Sequence, residues 1–182
     1  MLRTQDMKRS MPRFDIVGQL GSLRRYARSL TRDGVEAEDL VHDALVRAYE
    51  RRGTFRSGGN LRAWLLAIVH NTFIDRMRSR RSEAARVEQA GYLTEASTPA
   101  PQEHSLRLAQ VREAFFNLPE EQRSALHLVA IEGLSYQQAA DASSVPLGTL
   151  MSRIGRARAA LREMEAAPAK AKNHLRIVGD PS

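Results

Sequence analysis

The sequence predicts an all-α fold of two small helical domains joined by a flexible linker, the C-terminal domain containing a helix-turn-helix. Three observations carry this. Apolar residues recur at helical spacing, while alternating β-branched runs are missing. Residues 82–105, SEAARVEQAGYLTEASTPAPQEHS, lose that periodicity and gain Pro99 and Pro101, which is linker composition. Charge divides in the same way, with a net +8 over residues 1–81, −3 over 82–105 and +2 over 106–182. At 182 residues and 42% hydrophobic content the chain can bury two modest cores. The expected organisation is an extension (1–13), a first helical domain (14–81), the linker (82–105), a helix-turn-helix domain (106–166) and a tail (167–182). The tail has only a short apolar LRIV and the composition of a disordered terminus.

In the first domain, Leu40, Val41, Ala44, Leu45, Ala48 and Tyr49 recur as pairs four apart and predict a helix from about Val35 to Arg51. Its other face mixes Glu38, Asp39, His42, Asp43, Arg47 and Glu50, a pattern that on its own reads as a solvated surface. The loop GTFRSGGN follows, and Asn60 is placed to cap the helix LRAWLLAIVHNTFIDRMRSRR. Leu61, Trp64, Leu65, Ile68 and Thr72 form its inner stripe, with Arg62, His70, Asn71, Arg76 and Arg78 elsewhere and Arg80 and Arg81 at its end. Trp64 reads first as a core residue, and the terminal arginines also suit the helix dipole.

The second domain carries the most specific segment, LSYQQAADASSVPLGTLMSRIGRAR at 134–158. Ser135 caps a short helix from Tyr136 to Ala140, and Gln138 completes a capping box. Asp141–Ser144 forms the turn, and Pro146 suits the start of a second helix. Leu150, Ile154, Ala157 and Leu161 then make one buried stripe. The same geometry turns Thr149, Ser152, Arg153 and Arg156 outward, so hydroxyls and guanidinium forks face a groove that admits a helix. An ordinary amphipathic hairpin is the plain alternative for this segment alone.

Composition narrows the function. The chain holds 28 Lys+Arg against 21 Asp+Glu, giving +7 and a pI near 10.5, and almost every basic residue is arginine. The planar five-donor fork of arginine matches phosphate oxygens and guanine edges, which favours nucleic acid. No cysteine is present, so disulfides, thiolate metal sites and cysteine nucleophiles are excluded. His42, His70, His104, His127 and His174 lack metal-ligand spacing, and neither a metal nor a cofactor is expected. No phosphate-binding glycine loop, nucleophile elbow or carboxylate cluster points to an enzyme. No apolar run approaches the roughly 20 residues that cross a bilayer, and MLRTQDMKRSMPRFD has no signal core, so a soluble cytoplasmic protein is expected.

Taken together, DLVHDALVRAYE, LRAWLLAIVHNTFIDRMRSRR, LPEEQRSALHL and SYQQAA…PLGTLMSRIGRARAAL resemble a bacterial RNA polymerase sigma factor of the small extracytoplasmic-function type, over roughly residues 14–165. The resemblance implies a factor that binds core polymerase, recognises a two-element promoter and assists its melting in a stress or extracytoplasmic response. It implies that Asp39, Leu40, His42, Asp43 and Arg47 dock on the clamp helices of the largest polymerase subunit. It assigns Arg56, Asn60, Arg62, Trp64, His70, Asn71, Arg76 and Arg78 to the downstream element, where an extruded non-template base is held. Tyr136, Gln137, Thr149, Met151, Ser152, Arg153, Arg156 and Arg158 are assigned to the upstream element in the major groove. The acidic linker would thread towards the active cleft and RNA exit path, and an anti-sigma protein is an implied partner. His42 stands where the family often has glutamine, Met151 where it is often basic, and Gly155 is smaller than usual.

Two other functions fit parts of this pattern. A dimeric operator-binding regulator would use the helix-turn-helix without polymerase, but needs a dimer interface or effector pocket in the first domain. An adaptor for acidic proteins would use the basic surface without promoter dependence.

Overall fold

In a computed structural model the described residues are 15–87 and 106–166. The expected N-terminal extension, most of the linker and the C-terminal tail lie outside them. Among the described residues the chain forms helices and turns without strands. The helices are α1 (Leu20–Thr31), α2 (Gly34–Glu50), α3 (Leu61–Val87), α4 (Leu106–Asn117), α5 (Glu120–Leu126), α6 (Tyr136–Ala142) and α7 (Leu147–Ala166).

The helices of the first half start and stop where side chains satisfy the orphan backbone groups. Arg32, in the left-handed region at φ 62°, ends α1 and donates its amide to the Arg28 carbonyl. Asp33 caps α2, accepting from the Glu36 amide at 2.8 Å, and Asn60 caps α3 through the Ala63 amide at 3.1 Å. Leu23, Tyr26 and Leu30 of α1 meet Leu40, Val41 and Ala44 of α2 and Leu65 and Val69 of α3 in one core. The predicted α2 helix is thus found one residue earlier at each end, but Tyr49 is not part of its inner face and is 63% exposed. The helix predicted to stop at Arg81 runs on to Val87, because SEAARV contains no breaker.

The expected inner stripe of α3 is found, with Leu61 and Trp64 half-buried and Leu65, Ile68 and Thr72 buried. Leu66, Val69, His70 and Phe73 are buried as well. One stripe cannot account for that. The reason is that α3 is covered on two sides, by α1 and α2 of its own domain and by α6 of the other.

In the second half, α5 continues into a π turn, His127–Ile131, in which the Glu132 amide bonds to the His127 carbonyl at 3.0 Å. A single wide turn of this kind shifts the side-chain register, and such turns concentrate at functional positions. Gly133, at φ 69°, closes it, and the Leu134 amide returns to the Leu128 carbonyl. The capping box of α6 is formed as expected, with the Gln138 amide 3.1 Å from Ser135 Oγ and the Ser135 amide 3.0 Å from Gln138 Oε1. Ser135→Ala is expected to destabilise the second domain by about 1 kcal/mol, read as a lower urea midpoint. α6 extends two residues beyond Ala140, so the turn begins at Ser143, and Pro146 precedes α7 as its cap. Leu150, Ile154 and Ala157 are buried and Leu161 half-buried, which is the predicted stripe.

Candidate polymerase and nucleic-acid interfaces

The mixed charges of α2 do not all face solvent. Arg76 of α3 donates to the Asp43 carboxylate and, at 2.9 Å, to the Asp39 carbonyl. Arg47 reaches Asp75 at 2.7 Å, and Arg80 reaches Glu36 at 2.9 Å. These three pairs join α2 to α3 along their length. Arg76 and Arg80 are therefore held by carboxylates of their own domain rather than projecting as phosphate contacts. Leu40 is 0% exposed and belongs to the core, which removes it from the docking face assigned by resemblance.

What α2 presents outward is a stripe that periodicity alone did not single out. Val35 (74% exposed), Asp39, His42, Val46 (48%) and Tyr49 (63%) follow one another at i, i+4, i+7, i+11 and i+14. Arg52 stacks on the Tyr49 ring, 4.3 Å from its centroid. Three large apolar side chains exposed on one helix face are unusual outside a binding surface. Tyr49 also fits the inner spacing of Leu45 and Ala48, so spacing alone does not separate it from the buried face.

Around the loop before α3, Arg56 and Asn60 are exposed, and Gly58 takes φ 85° in a turn closed by the Gly59 amide on the Arg56 carbonyl at 2.9 Å. Trp64 is half-buried, its ring 5.5 Å from Phe55. Arg62 donates to Gln19 Oε1 at 3.0 Å, and Asn71 and Arg78 are exposed on α3. His70 does not share that surface. It is 5% exposed, with Nδ1 2.8 Å from the Tyr26 hydroxyl, and burial assisted by the Arg153 charge lowers its pKa to about 4. A neutral, enclosed imidazole cannot touch a base in this arrangement.

On the helix-turn-helix, Met151, Ser152, Arg156 and Arg158 are exposed and Thr149 is half-buried. Ser152 orders this face, since its hydroxyl donates to the Thr149 carbonyl at 2.9 Å and lies 3.3 Å from Arg156. Tyr136 is 39% exposed, and Gln137 donates to Asp141 at 2.9 Å. Arg153 departs from the expectation. Its side chain is 18% exposed and bonds Glu121 of α5 at 2.9 Å, so it faces the body of the molecule. Among the described residues no His, Cys, Asp or Glu group has metal-binding geometry, and no helix is long and apolar enough to cross a membrane.

The order of these elements matches known proteins. Residues 17–83 match Sigma-70 region 2, and residues 108–161 match Sigma-70 region 4. The ECF RNA polymerase sigma factor EcfG of Rhodopseudomonas palustris is 39% identical over 149 residues, 82% of each chain. The chain belongs to the sigma-70 family, as a sigma factor of the ECF type. The fold agrees with the sigma factor RpoE of Bartonella quintana, solved with the anti-sigma factor NepR. That structure gives TM-score 0.71 at 34% identity and covers 85% of this chain and 96% of the other. CnrH, solved with the cytosolic domain of CnrY, gives TM-score 0.59 at 29% identity, covering 85% and 86%. In this sigma factor, α1–α3 make up region 2 and α4–α7 region 4.

Proposed function

We propose that this sigma factor is a dissociable, cytoplasmic initiation subunit. It binds core RNA polymerase, recognises a two-element promoter and assists melting of the downstream element, with no covalent chemistry of its own. The carrying observation is that regions 2 and 4 follow each other on one chain with the exposed α2 stripe and the arginine-bearing α7 face both present. Val35, Asp39, His42, Val46 and Tyr49 supply the polymerase contact: apolar side chains at both ends with the polar Asp39 and His42 between them, suited to a coiled-coil partner. Arg56, Asn60, Arg62, Trp64, Asn71 and Arg78 serve the downstream element, and Met151, Ser152, Arg156 and Arg158 the upstream element, with Tyr136 and Gln137 beside it. An anti-sigma protein, like those solved with RpoE and CnrH, is the expected antagonist.

Arg156→Ala is expected to weaken promoter binding by about 1–3 kcal/mol in a titration of polymerase holoenzyme on promoter DNA, the cost of losing a base-edge contact. Equal affinity on the cognate promoter would remove Arg156 from the reading face. Asn71→Ala is expected to slow open-complex formation, read by permanganate footprinting, while leaving recruitment of the holoenzyme to closed promoter unchanged. The function itself is tested by run-off transcription with purified core.

A further inference from the structure

A recognition helix touches base edges mainly through its N-terminal turns. In α7 those turns hold Leu147, Gly148, Thr149, Met151, Ser152 and Arg153. Their polar side chains are largely committed within the protein. Arg153 turns inward to Glu121 at 2.9 Å, on the far side of the helix from the open face. Ser152 gives its hydroxyl hydrogen to the Thr149 carbonyl at 2.9 Å and accepts from Arg156 at 3.3 Å, so it is tied to its own helix as donor and as acceptor. Thr149 is half-buried.

What these turns leave standing in solvent is apolar. Met151 is 54% exposed and Leu147 39%, and a separation of four residues sets them one above the other along one edge of the open face. Gly148 and Gly155 lie beside them. At both glycines, among the described residues, nothing beyond the chain neighbours and the helix's own backbone comes within 4 Å of where a Cβ would stand. The methionine thioether therefore has room to swing over the face. Its unbranched chain adapts to the shape of an apolar partner.

In the major groove the donor and acceptor atoms of the four bases are polar, and the one apolar group is the 5-methyl of thymine. An apolar ledge on a helix lying in that groove has this group as its complement. We propose that Met151, backed by Leu147, sets a base preference within the upstream element: it selects thymine at the base pair it faces by burying the 5-methyl group. The inference rests on the function proposed above and names what part of the α7 face reads. Arg156, held against Ser152 on the opposite edge, serves a neighbouring position. Burial of one methyl corresponds to about a fourfold change in affinity.

The test uses holoenzyme made from core polymerase and the full-length chain, on a promoter that it transcribes. Each thymine of the upstream element, on either strand, is replaced in turn by deoxyuridine, which lacks only the methyl. Affinity in a fluorescence titration is expected to fall about fourfold at one position, or at two adjacent ones, and to hold at the rest. Met151→Ala should weaken binding to the thymine template by a similar factor and abolish the difference between thymine and deoxyuridine there. Leu147→Ala should reduce that difference, and Ser152→Ala should leave it intact. Met151 and Leu147 are both exposed, so helicity should be retained in each variant. A deoxyuridine cost that persists unchanged in Met151→Ala, or no cost at any thymine, would overturn the inference and leave the sigma reading standing. Failure to transcribe any template would remove the sigma reading, and the inference with it.

Discussion

Replacing Val46 and Tyr49 together with aspartate is expected to lower affinity for core polymerase by about 100-fold, roughly 3 kcal/mol, and to leave the helical content unchanged. Both side chains point away from the region 2 core, at 48% and 63% exposure, so little packing is lost. The loss comes from putting two charges into the apolar end of a contact that must exclude water. Arg76 and Arg80 offer the contrast. Their carboxylate partners lie on α2, so alanine there should act through the α2–α3 contact rather than through polymerase. A pull-down or fluorescence titration with core separates the cases, and full binding by the Val46/Tyr49 double variant would remove the stripe from the interface.

Acidification from pH 7 to pH 4 is expected to cost about 3 kcal/mol of folding stability through His70 alone. Its pKa is about 4 in the folded chain against an ordinary 6.5, because burial, helped by the Arg153 charge, disfavours the imidazolium. Below pH 6.5 the unfolded chain takes up a proton that the folded chain refuses, so stability falls until pH 4 and levels off beneath it. Glu132 extends the decline. Burial pushes its carboxyl up, but hydrogen bonds from His127, Ser22 and Arg25 outweigh burial and bring it to about 2. Its contribution is present above pH 4.5 and lost between pH 4.5 and 2. Urea midpoints at pH 7.5, 5.5 and 4 read the first effect, and His70→Gln should flatten the profile between pH 6.5 and 4.5. An unchanged slope in that variant would show that His70 titrates as an exposed histidine does.

The features that were legible in the sequence depend on local rules. The capping box at Ser135, the Asn60 cap and the Leu150–Ile154–Ala157 stripe follow from spacing within one helix, and each is found where that spacing puts it. The sigma-type order of segments was likewise readable, because four motifs in sequence are far more specific than a lone helix-turn-helix. What the sequence did not convey depends on partners distant along the chain. His70 lies on no predicted apolar stripe, and its burial arises from α1 on one side and region 4 on the other. Arg153 has helical spacing that turns it outward, yet Glu121 draws it in from another helix. Arg123 sits in LPEEQRSALHL like any solvated arginine, and nothing local signals that the end of α1, more than 90 residues earlier, is where its guanidinium belongs. Leu40 and Tyr49 show the same limit at shorter range. Both fit the spacing of the inner face of α2, and only the packing of α1 and α3 decides that Leu40 is enclosed and Tyr49 is not.

The central claim, that this protein directs core polymerase to promoters, is tested most directly by run-off transcription from a pooled promoter library with purified core, with and without the full-length chain. The account predicts initiation from a subset of templates that share two elements at fixed spacing, dependent on the added protein. Binding to DNA without any stimulation of transcription would contradict it, and would point to an operator-binding regulator.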